Sequence, residues 1–244
     1  FLLFFSCSLL AETRIDYYVN LGGIKIADAN FTIKSDKNNW SLLTEVEAAG
    51  IVDVFVKFIS TTESKGIIND NKLVPELYKF SYLTGRGSSR NGSITYKDNI
   101  PIRLAADPNY ADDEKPSLKF LEKYGSASND PYSALLVHGS YTDPCQFIAQ
   151  GFDGLRSFKT IFVRPAKEEK IKIGEQEVLT SKCVGYFDPI IGYKESDFLD
   201  EISKPGSVRY WFKYFETLNL WVPIKVIIDT PLGGFVLKGT ALKN

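Results

Sequence analysis

The sequence has no methionine, a single histidine and only three cysteines among its 244 residues. With His138 alone, a zinc site of the usual two- or three-histidine type cannot be assembled. No Gly-x-Ser-x-Gly element occurs, so the nucleophile turn of the α/β hydrolases is missing. Residues 84–92 (TGRGSSRNG) hold three glycines but no lysine and no Walker spacing, and read as a loop rather than a phosphate cradle. A charge excess is missing as well: 29 basic and 30 acidic residues are intermixed and leave a net charge of −1. That speaks against nucleic acid as a partner, because neutralising phosphates needs a basic surface. Asp112, Asp113 and Glu114 form an acidic cluster without EF-hand spacing and read as a solvated loop. No cofactor or metal is expected.

Long apolar runs are also absent. The one at the start, residues 1–5 of FLLFFSCSLLAETR, is too short to span a bilayer. With the small residues that follow, it resembles the apolar core and cleavage zone of a secretory signal, although no basic segment precedes it. Residues 1–11 are therefore expected to be a signal remnant, with cleavage after Ala11 and a mature chain from Glu12. The rival reading makes Cys7 a lipid-modified cysteine; Phe4 stands where a lipobox usually has Leu, so secretion without an anchor is the expectation. Export places the remaining cysteines, Cys145 and Cys183, in an oxidising compartment, where one disulfide is the natural reading. Both would then sit at strand ends or in adjacent strands. The alternative is two unrelated buried thiols.

What the chain does have is aromatic side chains, 17 Phe and 13 Tyr, enough for a substantial core, and alternation. Tyr17, Val19 and Leu21 alternate with Asp16, Tyr18 and Asn20, and a second run follows Gly22-Gly23, which is a hairpin signal. Further strand pairs are expected around residues 36–39, 69–71, 97–99 and 174–175, and a meander over residues 208–242. Pro75 suggests an edge or the end of a ladder, because proline donates no ladder hydrogen bond. On the first meander strand Val208, Tyr210, Phe212 and Tyr214 share one face and Arg209, Trp211 and Lys213 the other.

Helical spacing appears in three places. Ile51, Val54, Phe55, Phe58 and Ile59 form one stripe, predicting a short helix over residues 51–59. It would pack on a sheet or act as a lid over an apolar cavity. Residues 117–124 predict one or two turns. Asp130 reads as an N-cap with Pro131 at the first position, predicting a helix over residues 132–138.

No βαβ alternation is present, so a parallel sheet is not expected. Eleven to thirteen strands in one sheet would curl strongly. The expectation is a mainly β (α+β) fold. It is a large antiparallel sheet curled into a barrel or half-barrel with two or three short helices, over a single domain of residues 12–244. An outer-membrane barrel fits poorly, since Lys213, Lys225 and Lys238 fall on alternate positions of the last strands.

Candidate functional residues are few. Phe55 and Phe58 belong to the lid-like stripe. Asp153 is the most distinctive polar residue, although Asp-Gly is ordinary turn chemistry and Asp153 could simply pair with Arg156. Tyr193 follows a Pro-Ile-Ile-Gly run. Tyr210 and Phe212 are either core or a ligand platform. His138, Asp143 and Cys145 lie close in sequence and could suggest a thiol hydrolase, but proximity in sequence is not triad geometry.

Several of these pieces fall together in order. They are Tyr18 to Ala27 (YVNLGGIKIA), Asp130-Pro131-Tyr132-Ser133-Ala134-Leu135, Cys145, Phe152-Asp153-Gly154-Leu155-Arg156, Cys183, Pro189 to Tyr193, Val222-Pro223 and Thr230-Pro231-Leu232-Gly233. In this the chain resembles the family known as domain of unknown function 3108, found in envelope proteins of Gram-negative bacteria. The resemblance covers nearly the whole mature chain. It implies a secreted, periplasmic, β-rich domain with no established activity. Two function classes follow. One is a non-enzymatic binding or carrier module for an apolar ligand such as a lipid, or for an envelope protein. The other is an envelope or cell-wall hydrolase using carboxylates such as Asp153 and Asp188.

Overall fold

The computed structural model describes residues 11–50, 53, 57–85, 87–111 and 114–243. The alternating segments assemble into a single hydrogen-bonded sheet of 15 strands, all its ladders antiparallel. The first seven strands form a meander: β1 (Ala11–Leu21), β2 (Ile24–Ser35), β3 (Asn39–Ala48), β4 (Phe58–Asn69), β5 (Lys72–Thr84), β6 (Ser89–Lys97) and β7 (Ile100–Asp107). Two of their tight turns, Asp70-Asn71 and Asp98-Asn99, have positive φ at both residues. That is the left-handed backbone conformation that such two-residue hairpin turns require and that Asn and Asp tolerate.

The chain then leaves the sheet. Helix α1 (Leu118–Gly125) is followed by a 3-10 turn at Ser133–Leu135, strand β8 (Val137–His138) and a second 3-10 turn at Pro144–Gln146. The sheet resumes with β9 (Ala149–Phe152), β10 (Ser157–Phe162), β11 (Lys167–Ile173) and β12 (Gln176–Ile191). After helix α2 (Asp197–Ile202) come β13 (Val208–Phe215), β14 (Leu220–Thr230) and β15 (Gly233–Lys243). From edge to edge the order is β7-β6-β5-β4-β3-β2-β1-β15-β14-β13-β12-β10-β9, with β11 on β12 and β8 on β14. The β1–β15 ladder thus joins the two halves of the chain into one surface.

The sheet curls without closing, and β7 and β9 are its edges. Exposed edges invite pairing with other chains and are usually covered. Here α1 lies between them. Leu121 of α1 packs with Tyr78, Ile94 and Tyr96 from one side and Phe152 from the other. Gly125 permits the approach: a Cβ there would lie 2.5 Å from Pro101 and 2.7 Å from the Phe152 ring. Beyond the helix, Ala127 N–H donates to Asn99 O (3.0 Å), Asn129 N–H to Gln150 O (3.1 Å), and Phe152 N–H to Asn129 O (2.8 Å). This segment pins the β6–β7 turn to β9.

Several expectations need correction. Phe58 and Ile59 open β4 rather than ending a helix, and residues 51, 52 and 54–56 of that predicted helix, Phe55 included, lie outside the described residues. The signal remnant does too, up to residue 10; Ala11 opens β1. The helix expected over residues 132–138 is only a 3-10 turn, because Val137 and His138 pair with Trp221 and Leu220 of β14. Pro75, as expected, marks the end of a ladder: β5 pairs with β6 only from Leu77 on, and Pro75 sits opposite Gly66 of β4, where that register shifts. The expected loop over residues 84–92 is shorter, since β6 begins at Ser89.

Tyr210 and Phe212 do share a face, stacked 5.7 Å apart in a cluster with Val208, Val226, Cys145 and Cys183. Trp211, on the other face, lies beneath Lys225 (4.0 Å) and Lys182 (4.8 Å). Burial, then the neighbouring Lys238, push the Lys225 amine below its ordinary pKa, against the opposing pull of Glu169.

Candidate ligand-binding cavity

Cys145 and Cys183 form the expected disulfide, with Cα atoms 5.3 Å apart. Cys183 lies within β12, but Cys145 is in the 3-10 turn and not in a strand. Asp143 begins that turn by accepting from Cys145 N–H (2.8 Å) and holds the chain ahead of β11 by accepting from Ala166 N–H. Asp143, Cys145 and Cys183 are close enough together to suggest a metal site, but both sulfurs are committed to the disulfide. The same bond removes Cys145 as a nucleophile. His138 pairs with Ser140 Oγ (2.9 Å) and Asn219 Nδ2 (3.2 Å), and burial lowers its pKa.

Asp153 is spent on its turn. Its Oδ1 accepts from Leu155 N–H (2.9 Å) and Arg156 N–H (2.7 Å), and its other oxygen lies 3.7 Å from the Arg156 guanidinium. Gly192, at positive φ, lets the β12 end approach this turn; a Cβ would lie 2.4 Å from Leu155 O. Tyr193 packs edge-on against Phe187, and burial pushes its phenol up to about 12. Asp188 lies on β12 opposite Lys159. No described hydrogen bond or ion pair joins Asp153 to Asp188, so the carboxylate pair is not assembled.

An apolar concavity lies elsewhere among the described residues. A cavity of about 450 Å³ is walled by Val19, Ala27, Ala29 and Phe31 of β1 and β2, by Val46, Ala48 and Phe58 of β3 and β4, and by Tyr210, Val226, Ile228, Phe235 and Leu237 of β13–β15. Pro131, Tyr132 and Leu135 cover it from the segment before β8. Of the residues singled out from sequence, Phe58 and Tyr210 reach this wall, and Phe212 stacks behind Tyr210. Asp153, Arg156 and Tyr193 are not among its lining residues.

A family model described as "Protein of unknown function (DUF3108)" matches residues 14–240. The chain belongs to this family. No curated protein matches it. Among solved structures it is similar to a crystal structure titled as a beta-barrel-like protein of domain of unknown function DUF1849 from Brucella abortus. That likeness has 8% identity, covers 97% of this chain and 99% of the other, and has a TM-score of 0.46. No helix among the described residues is long and apolar enough to cross a membrane.

In this DUF3108 chain the residue just before the wall residues Pro131 and Tyr132 is a buried carboxyl that the sequence marked only as a cap. Asp130 is fully buried. Its Oδ1 accepts from Tyr132 N–H (3.0 Å) and Ser133 N–H (3.1 Å), and Oδ2 accepts from the Ser133 hydroxyl. Burial raises its pKa above the ordinary 3.8, opposed by the Ser133 and Ser64 hydroxyls and these two backbone donors. An acid with a raised folded-state pKa holds its proton more tightly when folded. Its stabilising contribution is therefore complete below the unfolded value and lost as pH rises through the folded one. Asp130→Asn keeps an acceptor for the backbone donors and cannot ionise. Urea midpoints measured from acid to neutral pH should show wild type losing ground to the variant as pH rises. Parallel profiles would mean that folding does not shift this carboxyl's pKa.

Proposed function

We propose that this chain is an exported, non-enzymatic binding or carrier module of the cell envelope, and that its cavity holds an apolar ligand such as a lipid. The observation that carries this reading is the cavity itself. Its volume of about 450 Å³ falls in the usual range for ligand sites, and its walls are aliphatic and aromatic side chains drawn from both halves of the chain. The buried disulfide supports export, because such bonds persist in oxidising compartments. The hydrolase alternative has less support, since the Asp153 carboxylate is occupied by its own turn.

The test uses an uncharged apolar dye, phenylnaphthylamine, whose fluorescence rises in apolar surroundings. Wild type should bind it saturably, and native mass spectrometry of protein purified from a periplasm should show a co-purified lipid. Ala29 is buried on the wall, so Ala29→Trp should fill the space and weaken dye binding at least about ten-fold. Overpacking would cost about 1–3 kcal/mol, so a melting curve must confirm that the variant folds. Unchanged dye affinity in a folded Ala29→Trp protein would remove the cavity from consideration.

A further inference from the structure

The strands that wall the apolar cavity carry a charged row on their other face. Tyr210, Val226 and Leu237 of the wall are neighbours across the β13–β15 ladders. One residue away on each strand lie Trp211, Lys225 and Lys238, which are likewise paired and, by alternation, point to the opposite face. The row continues through Lys182 of β12 and Lys167 of β11. Directly paired residues of an antiparallel ladder share a face. Five adjacent strands therefore present Lys167, Lys182, Trp211, Lys225 and Lys238 side by side.

Two of these pairs are like-charged. Lys167 directly opposes Lys182, and Lys225 directly opposes Lys238. Such pairs destabilise a sheet. One carboxylate answers them: Glu169 of β11 pairs with Lys182 at 3.1 Å, and its charge also reaches Lys225. Arg209, next to Trp211, is spent on Asp229. Lys167, Lys225 and Lys238 have no ion pair among the described residues. Lys167 is exposed and the other three lysines are partly exposed, so the row is open to solvent.

The lysine stems also cover the Trp211 ring, with Lys225 Nζ 4.0 Å and Lys182 Nζ 4.8 Å from its centre. Cover alone does not require like charges, because a glutamine in place of Lys238 would remove the repulsion and leave both ring contacts standing. The row suits an anion. With four ammonium groups against one carboxylate, a monoanion would leave most of the charge unanswered. A phosphate group carries more charge, and its oxygens accept from several ammonium donors at once.

We propose that this row is a binding site for a phosphorylated ligand carrying two or more negative charges, held by Lys225 and Lys238 with Lys182 and Lys167 alongside.

Inorganic pyrophosphate is the first probe, titrated by calorimetry at low ionic strength, where exposed charges are least screened. K225Q/K238Q should weaken its binding at least about ten-fold, the size of a lost charge-assisted hydrogen bond. K170Q/K172Q changes the net charge equally, but on the opposite face of β11, where both lysines are exposed, and should leave the affinity nearly unchanged. The single variant K238Q keeps both Trp211 contacts and therefore serves if the double variant folds poorly. It should lose affinity and, without pyrophosphate, be no less stable in urea than wild type. All three variants should bind the apolar dye as wild type does, because the cavity is on the other face. Phosphatidylcholine vesicles with and without phosphatidic acid then identify the source. Lysine-dependent binding to the acidic vesicles makes the ligand a lipid headgroup, and pyrophosphate binding without vesicle binding makes it a soluble phosphorylated molecule. Equal losses in K225Q/K238Q and K170Q/K172Q would overturn the proposal. So would a K238Q protein that binds as wild type, or a wild type that binds neither pyrophosphate nor acidic vesicles.

Discussion

Replacing both bridged cysteines, as C145A/C183A, is expected to lower stability by roughly 3–4 kcal/mol. The bond closes 38 residues, and the loop-closure entropy restored to the unfolded chain on its removal is of that size. For a protein of this length the melting temperature should fall by roughly 6–16 °C. Adding reductant to wild type should reproduce the shift once the thiols are accessible. The loss should be local at first. Cys145 is in the 3-10 turn held by Asp143, and Cys183 faces Tyr210 across the β12–β13 ladder. Hydrogen exchange should therefore rise first in the Pro144–Gln146 turn and in β9, while β1 to β3 stay protected. Because the bond packs beside Tyr210, a cavity wall residue, dye affinity should drop as well. An unchanged melting temperature in the double variant would show that packing alone holds this half together.

The hairpins of this protein can be read from its sequence because each is local. Alternation assigns faces, and Gly22-Gly23, Asp70-Asn71 and Asp98-Asn99 supply the positive φ that the turns need. The meander of β13 to β15 is legible for the same reason. Where sequence misleads, a distant partner overrides local spacing. Phe58 and Ile59 fit a helical stripe, yet they pair with Thr84 and Leu83 of β5. His138 fits the end of a helix, yet β14 claims it. Helix α2 left a signal that was missed: Ser196 caps it by accepting from Leu199 N–H, with Asp197 in the first turn.

The cavity is the least legible feature. Val19 meets Leu237, and Leu237 meets Val226, only because β1 and β15 pair across the length of the chain. Asp130 was expected as a helix N-cap; the N-cap of the 3-10 turn is Tyr132, and Asp130 sits ahead of it, accepting from the Tyr132 and Ser133 N–H groups. Its burial depends on the sheet wrapping around it and could not be read from its neighbours in sequence.

That wrapping depends on one ring, and its removal is the second large effect expected. Phe152 is fully buried and stands at the end of β9, where it receives α1. It packs on Phe120 at 6.4 Å and fills the space that Gly125 leaves open. Truncation to Ala should cost about 3–5 kcal/mol through lost burial and the cavity left behind. The consequence should go beyond stability. Phe152 is the side chain through which β9 joins the cluster of Tyr78, Ile94, Tyr96 and Leu121, so without it α1 keeps its contact with β7 and loses its anchor at β9. The two sheet edges would then be free to pair with other chains. Phe152→Ala is therefore expected to self-associate at concentrations where wild type does not, as read by light scattering. Faster hydrogen exchange in α1 should accompany it. Gly125→Ala offers an independent route to the same state, because its Cβ would lie 2.5–2.8 Å from Pro101 and the Phe152 ring and must push the helix away. If Phe152→Ala loses the expected stability but stays dispersed, with α1 still protected, then the backbone bonds from Asn129 to Gln150 and Phe152 suffice to keep the edges covered.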